Sequence, residues 1–277
     1  MDTTLAPDRM LDVLRADGDR LVALCRRDLA LEVPTCPGWT IRDLVEHVAE
    51  VYQHKIKCTE LLAYPDPWPM PVPPGNPVDW LAESLDELIA MFRDRGPDAP
   101  SKTWWEPDQT VGFWYRRMLQ ETAIHRADAE AAVGELTPID EDVAADGIDE
   151  VLMIFFAGDW SDVGPDEWEG VSPEAGAGKT IEISGGGHAW RVTLHPDRID
   201  VERHGDDSDS DSDIDSGSGS GSGKSAPGAA PADARISGAA SDLVLWLWGR
   251  YTIGKIESGG DPAVLTALRD RLALATQ

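Results

Sequence analysis

At 277 residues the chain is long enough for two domains, each with its own buried core. Its 24 basic against 51 acidic side chains give a formal charge of -27, which repels nucleic acid and anionic lipid and sets both aside as partners. No apolar run is long enough to span a bilayer, the N-terminus lacks the layout of a signal peptide, and Cys25, Cys36 and Cys58 form no Cys-x-x-Cys pair, so a cytoplasmic protein with reduced thiols is expected.

Leu11, Leu14, Leu21 and Cys25 recur at helical spacing and predict an amphipathic helix from Pro7 to Leu29, with Gly18 on the buried stripe, where a small residue lets another helix approach. Pro34, Pro37 and Gly38 end it. Thr40 caps the next helix, Ile41 to about Leu62, with Asp43 in the capping-box position. Leu44, Val48, Val51 and Tyr52 form its core face, and His47, one turn from Leu44 and Val51, points to the interior. His54 lies two turns on, where a fourth ligand, a supporting base and a surface residue all fit.

Residues 64–79 hold seven prolines and form a stiff irregular loop, either a lid with Trp68 and Met70 as its apolar contacts or a simple crossing. A third helix is predicted from Val78 to Arg95 and a fourth from Thr110 to Val133, where Trp114, Met118, Glu121, His125 and Asp128 make one continuous stripe. A buried stripe carries such groups only if they are partnered, because burying an unpaired carboxylate is costly. A metal resolves the conflict: Glu121 and His125, four apart, share a helix face, and His47 supplies a third donor from a facing helix. Two histidines and a carboxylate with an open fourth position make a catalytic arrangement, whereas structural zinc sites are closed by four protein ligands. The bland alternative for His47 is a core histidine hydrogen-bonded to a neighbour. Zinc, iron(II), nickel and cobalt all accept this donor set, and zinc is the default for non-redox chemistry.

Beyond Gly134 the pattern changes. A helix is predicted from Asp149 to Asp159, then strands at Thr180–Ser184, Trp190–Leu194, Arg198–Arg203 and Ala232–Ser237, then helices at Ala240–Trp248 and Pro262–Leu274. Gly178-Lys179-Thr180 fails as a phosphate loop because Pro173 stands where the motif needs glycine, and Gly185-Gly186-Gly187 reads as a hairpin turn. An insertion over 205–230, mostly Asp, Ser and Gly in its first part, is expected to be disordered. The expected fold class is therefore α+β, with a four-helix metal-binding bundle over 1–140 and a smaller α/β domain over 141–277.

Three blocks carry a family resemblance. Residues 33–47, from Val33 through Pro37-Gly38-Trp39 to His47, resemble the entry motif of the mycothiol-dependent maleylpyruvate isomerase family; residues 113–130 resemble its metal-binding helix, and Leu243 to Arg250 its closing motif. The resemblance implies a DinB-like four-helix bundle, a C-terminal domain similar to sterol-carrier proteins, His47, Glu121 and His125 as zinc ligands, and Arg250 as a catalytic, substrate-orienting arginine. Gln120 and Ala127 depart from the family pattern, where His and Trp are expected, and adjoin the ligand positions, so a changed pocket is expected. The implied function is a zinc- and mycothiol-dependent isomerase or S-transferase acting on an electrophilic small molecule, as a monomer or homodimer. A metal-dependent hydrolase or lyase without thiol, and a non-catalytic metal- or ligand-binding protein, remain as alternatives.

Overall fold

The computed structural model describes residues 5–164, 168, 170–204 and 231–276. The acidic insertion over 205–230 lies outside them.

Four helices, α1 (Pro7–Cys25), α2 (Ile41–Leu61), α3 (Pro77–Arg95) and α4 (Val111–Val133), form a bundle. α1 packs on α4 and α3, and α2 packs on α3 and α4, so helices consecutive in sequence, α1 and α2, occupy opposite corners. This is a crossover arrangement. α1 stops at Cys25, earlier than its apolar spacing suggests, because the Asp28 carboxylate accepts from the Ala30 N–H and turns the chain. α2 starts where Thr40 donates both its backbone N–H and its hydroxyl to Asp43. Asn76 caps α3 by accepting from the Val78 N–H. Gly18 is needed as expected: a Cβ there would lie 2.5 Å from a Leu85 methyl on α3.

α5 (Glu141–Glu150) follows and continues as a π-helical turn, Val151–Phe156. The helix predicted from Asp149 thus begins eight residues earlier and ends sooner, with Gly158–Asp159 forming the short strand β1. Its first turns carry a helical stripe, Val143, Ala144, Gly147 and Ile148, but alanine and glycine dilute it, so the larger apolar residues after Asp149 dominate the sequence signal. Strands β2 (Thr180–Gly185), β3 (His188–Leu194), β4 (Arg198–His204), β5 (Ala234–Ser237) and β6 (Glu257–Gly260) complete a six-stranded sheet of order β1-β4-β3-β2-β5-β6. Pairing is antiparallel except between β2 and β5. Gly185 pairs with His188, leaving Gly186 and Gly187, both at positive φ, as the two-residue hairpin turn. α6 (Ala240–Leu247) and α7 (Pro262–Ala275) close the chain, α7 capped by Asp261. The molecule is α+β, a four-helix bundle followed by a smaller sheet-containing region. No helix among the described residues is long and apolar enough to cross a membrane.

α4 is buried on almost every side, flanked by α1 and α2 and joined to α5 through Arg116 and Gln120. Its inward charges are paired across these interfaces: Arg116 with Asp146 on α5, and Arg126 with Asp17 on α1. Gln120 belongs to the same interface. Its amide nitrogen donates to the Val143 carbonyl and to Asp146, and its oxygen presses on Gly147, where an added Cβ would sit 2.5 Å away. Gly147→Ala should therefore cost about 1–2 kcal/mol net, overpacking outweighing the gain in helix propensity, with bound metal unchanged. Denaturant melts paired with metal analysis check both halves of that expectation.

Candidate metal centre and its cavity

α2 and α4 lie side by side in opposite directions, with His47 against Glu121, Tyr52 against Thr122 and Lys55 over Trp114. Glu121 Oε1 is 3.2 Å from His47 Nε2 and 3.3 Å from His125 Nε2. Two donors on one tetrahedral zinc at ordinary bond lengths are about 3.3 Å apart, so Glu121 Oε1 stands at ligand spacing from both imidazole nitrogens. Donor atoms of the three residues fall within 4.8 Å of one another.

The donors are also oriented for this. His125 donates from Nδ1 to Asp128 at 2.9 Å, which fixes the ring's orientation and turns Nε2 toward Glu121. The second oxygen of Glu121 accepts from Arg117 Nη2, so only Oε1 faces the histidines. Arg117 is itself held by Glu150 and lies between the rings of Phe155 and Trp248, 5.3 and 5.1 Å from their centroids. The Trp39 ring sits 5.1 Å from His47 and stacks 6.3 Å from His125, walling one side. Two imidazoles and a carboxylate with these supports fit a divalent metal of the zinc type.

Burial alone would push Glu121 up, but His125, His47 and Arg117 hold it well below the usual carboxylate range. Burial likewise opposes a charged His125, and Glu121 with Asp128 more than offsets it, raising its affinity for protons. Asp128 is pulled far down by His125 and Arg250 against the effect of its burial.

Arg250 reaches this cluster through a helix end. After α6 the Arg250 N–H bonds to the Leu245 carbonyl and the Gly249 N–H to that of Trp246, with Gly249 at φ 79°. This is a Schellman ending, which turns the chain back toward the bundle. The guanidinium then grips Asp128 with Nε and Nη2 at 3.0 and 2.7 Å and donates from Nη1 to the Trp248 carbonyl. The fork that a substrate carboxylate would use is engaged within the protein, so the closest partner of Arg250 is the carboxylate behind His125.

The triad opens on a cavity of about 450 Å³. Val51, Lys55 and Met118 line it from the bundle, Trp104 from the loop before α4, and Phe155, Trp248 and Arg250 from the second half of the chain. Gln120 and Ala127 do not line it, so the two departures from the family pattern face away from the site. Trp68 and Met70 are absent from its wall as well; Trp68 packs on His54, 4.3 Å between rings, at the far end of α2. His54 stands outside the triad, its imidazole pushed down to about 4 by burial and by Lys55.

Asp128 belongs to the stripe on α4 but has a task only through its tertiary partners, and the parts played by Arg117, Trp39 and Lys55 emerge only in the fold. The signals for two of them were present: Asp128 is three residues after His125 and Arg117 four before Glu121, both same-face spacings on α4.

A search of curated proteins finds no match to the sequence. The crystal structure of the mycothiol-dependent maleylpyruvate isomerase aligns over 94% of this chain and 96% of its own at 16% identity with a TM-score of 0.53, and a histidine-to-alanine mutant of that enzyme aligns over the same shares at 16% and 0.54. At this identity the likeness establishes a shared fold. The sequence model of the mycothiol maleylpyruvate isomerase N-terminal domain matches residues 11–57 and 66–130, and that of the MDMPI C-terminal domain matches residues 142–267. With both models matched in order over most of its length, the chain belongs to the mycothiol-dependent maleylpyruvate isomerase family.

Proposed function

We propose that this protein is a metal- and mycothiol-dependent isomerase or S-transferase acting on an electrophilic small molecule, with residues 1–140 as its metal-binding unit and 141–277 as the unit that closes the cavity. The observation that carries the reading is the convergence of His47, Glu121 and His125 on one point at the wall of a cavity lined from both halves of the chain. These three side chains would hold the metal, with zinc the default. A divalent metal held there would supply Lewis acidity, favouring the thiolate form of a bound thiol near neutral pH for addition to an activated double bond.

The chain's own residues supply orientation and exclusion of water. Asp128 keeps the His125 proton on Nδ1, and Arg250 keeps Asp128 ionised and in place. Arg117 holds Glu121 so that one oxygen stays on the histidine side. Trp39, Trp104, Phe155 and Trp248 make the cavity wall largely aromatic, which suits a reaction whose reactive sulfur must be kept from bulk water. Cys36 is no rival nucleophile: burial and Asp128 push its thiol up to about 12.

Mycothiol consumption and product formation, followed with zinc-loaded protein against unsaturated carboxylic acids and other electrophiles, test the proposal. Turnover that requires both metal and thiol supports it. Turnover unchanged when thiol is omitted would replace it with metal-dependent hydrolysis or lyase chemistry.

A further inference from the structure

Lys55 is the cation of the cavity that the fold leaves without a carboxylate. Arg117 is shared between Glu121 and Glu150, and Arg250 is forked onto Asp128. Among the described residues no carboxylate pairs with the Lys55 ammonium. Its Nζ lies 4.9 Å above the Trp114 ring and donates to His54 Nδ1 at 3.1 Å. His54 is a suitable neutral acceptor, and it is fixed by Tyr64 and Trp68, whose rings lie 6.1 and 4.3 Å from its own. The proline-rich loop thus braces the histidine that aims the lysine.

Position gives this ammonium a use. Lys55 follows His47 by eight residues on α2, and Trp114 precedes Glu121 by seven on α4. The two rungs are therefore about 11 Å apart along the helices. Val51 and Met118 line the cavity between them, so it offers a metal triad at one end, an apolar middle and a single unpaired cation at the other. A ligand matched to that sequence is a short unsaturated acid, its electrophilic carbon toward the triad and its carboxylate on the ammonium. Burial, with Arg117 adding to it, pulls Lys55 down against the opposing pull of Glu121 to about 8, which still leaves it mostly charged at neutral pH.

Building on the function proposed above, we infer that Lys55 is the specificity-determining anchor for a carboxylate of the substrate, the role that the sequence resemblance assigned to Arg250. The ammonium gives the carboxylate a charge-assisted hydrogen bond in a cavity with largely aromatic walls, within a protein whose overall charge repels anions.

Maleate binding to the full chain, measured by calorimetry with zinc loaded and again after zinc is stripped by a chelator, tests the anchor. Lys55→Met should weaken maleate at least tenfold in both preparations, and Lys55→Arg should recover most of the loss. Equal maleate affinity in Lys55→Met and the parent, or no maleate binding by the parent, would overturn the inference. Should Lys55→Met melt early, the neutral dimethyl ester of maleate serves on the unaltered protein. It should bind at least tenfold more weakly than maleate, and equal binding would again refute the anchor. Zinc stoichiometry reports separately on the triad: a chain that takes no zinc yet shows the Lys55 dependence would retain the anchor and lose the metal-dependent reading.

Discussion

His125→Ala should leave the purified protein with background zinc, against one ion per chain for the parent, and thiol-dependent turnover should fall with it. Losing a carboxylate that merely supports a ligating histidine costs about 10–100-fold in metal affinity, so losing the ligand itself should cost more. The histidine is nearly buried, at 7% exposure, with one nitrogen committed to Asp128 and the other turned to Glu121, so no neighbouring side chain can take over its position. The fold should survive the change. Glu121 keeps Arg117, Arg117 keeps Glu150, and Asp128 keeps Arg250, which leaves every buried charge of the cluster with an opposite partner. Metal analysis beside a thermal melt separates the two effects. Stoichiometric zinc in a folded His125→Ala protein would remove the triad as the metal site.

The helices of the bundle were legible because their apolar residues repeat at helical spacing and α2 opens on a recognisable cap, Thr40 with Asp43. The triad was legible for a related reason. Four-residue spacing puts Glu121 and His125 on one face whatever the tertiary context, and His47 sits on the core side of α2. What depends on tertiary pairing was not legible. β6 is Glu-Ser-Gly-Gly, which has no strand character of its own and exists because β5 offers it a partner. α5 has only a narrow stripe of mostly small residues, Val143, Ala144, Gly147 and Ile148, and is held by its packing on α6 and by Arg116 and Gln120 of α4. Gln120 could be seen to adjoin a ligand in sequence, but on a helix the next residue points about 100° away, here into the α5 interface. The Arg250 role was the hardest to read, because its partner Asp128 is 122 positions away and nothing local announces the pairing.

That pairing makes Asp128→Ala the most informative disruption of the fold and the site together. Asp128 is fully buried and accepts from Arg250 Nε and Nη2 and from His125 Nδ1. Removing it leaves the Arg250 guanidinium, 13% exposed, without its counter-charge, a change that costs about 3–5 kcal/mol when one member of a buried pair is deleted. At roughly 2–4 °C per kcal/mol for a chain near this size, the melting temperature should fall by about 6–20 °C. Zinc affinity should drop by about 10–100-fold as His125 loses the group that sets its tautomer. Arg250→Met should destabilise too, by stranding the Asp128 carboxylate, yet the double variant should regain part of the loss because neither charge is then left alone. Zinc affinity should not recover in the double variant, since His125 still lacks Asp128. An Arg250 that serves only to grip substrate predicts the opposite pattern: Arg250→Met would raise KM while melting temperature and zinc affinity stayed at parental values. The double-mutant cycle, read by melting and by zinc titration, therefore decides whether the arginine from the second half of the chain holds the metal site together or holds the substrate.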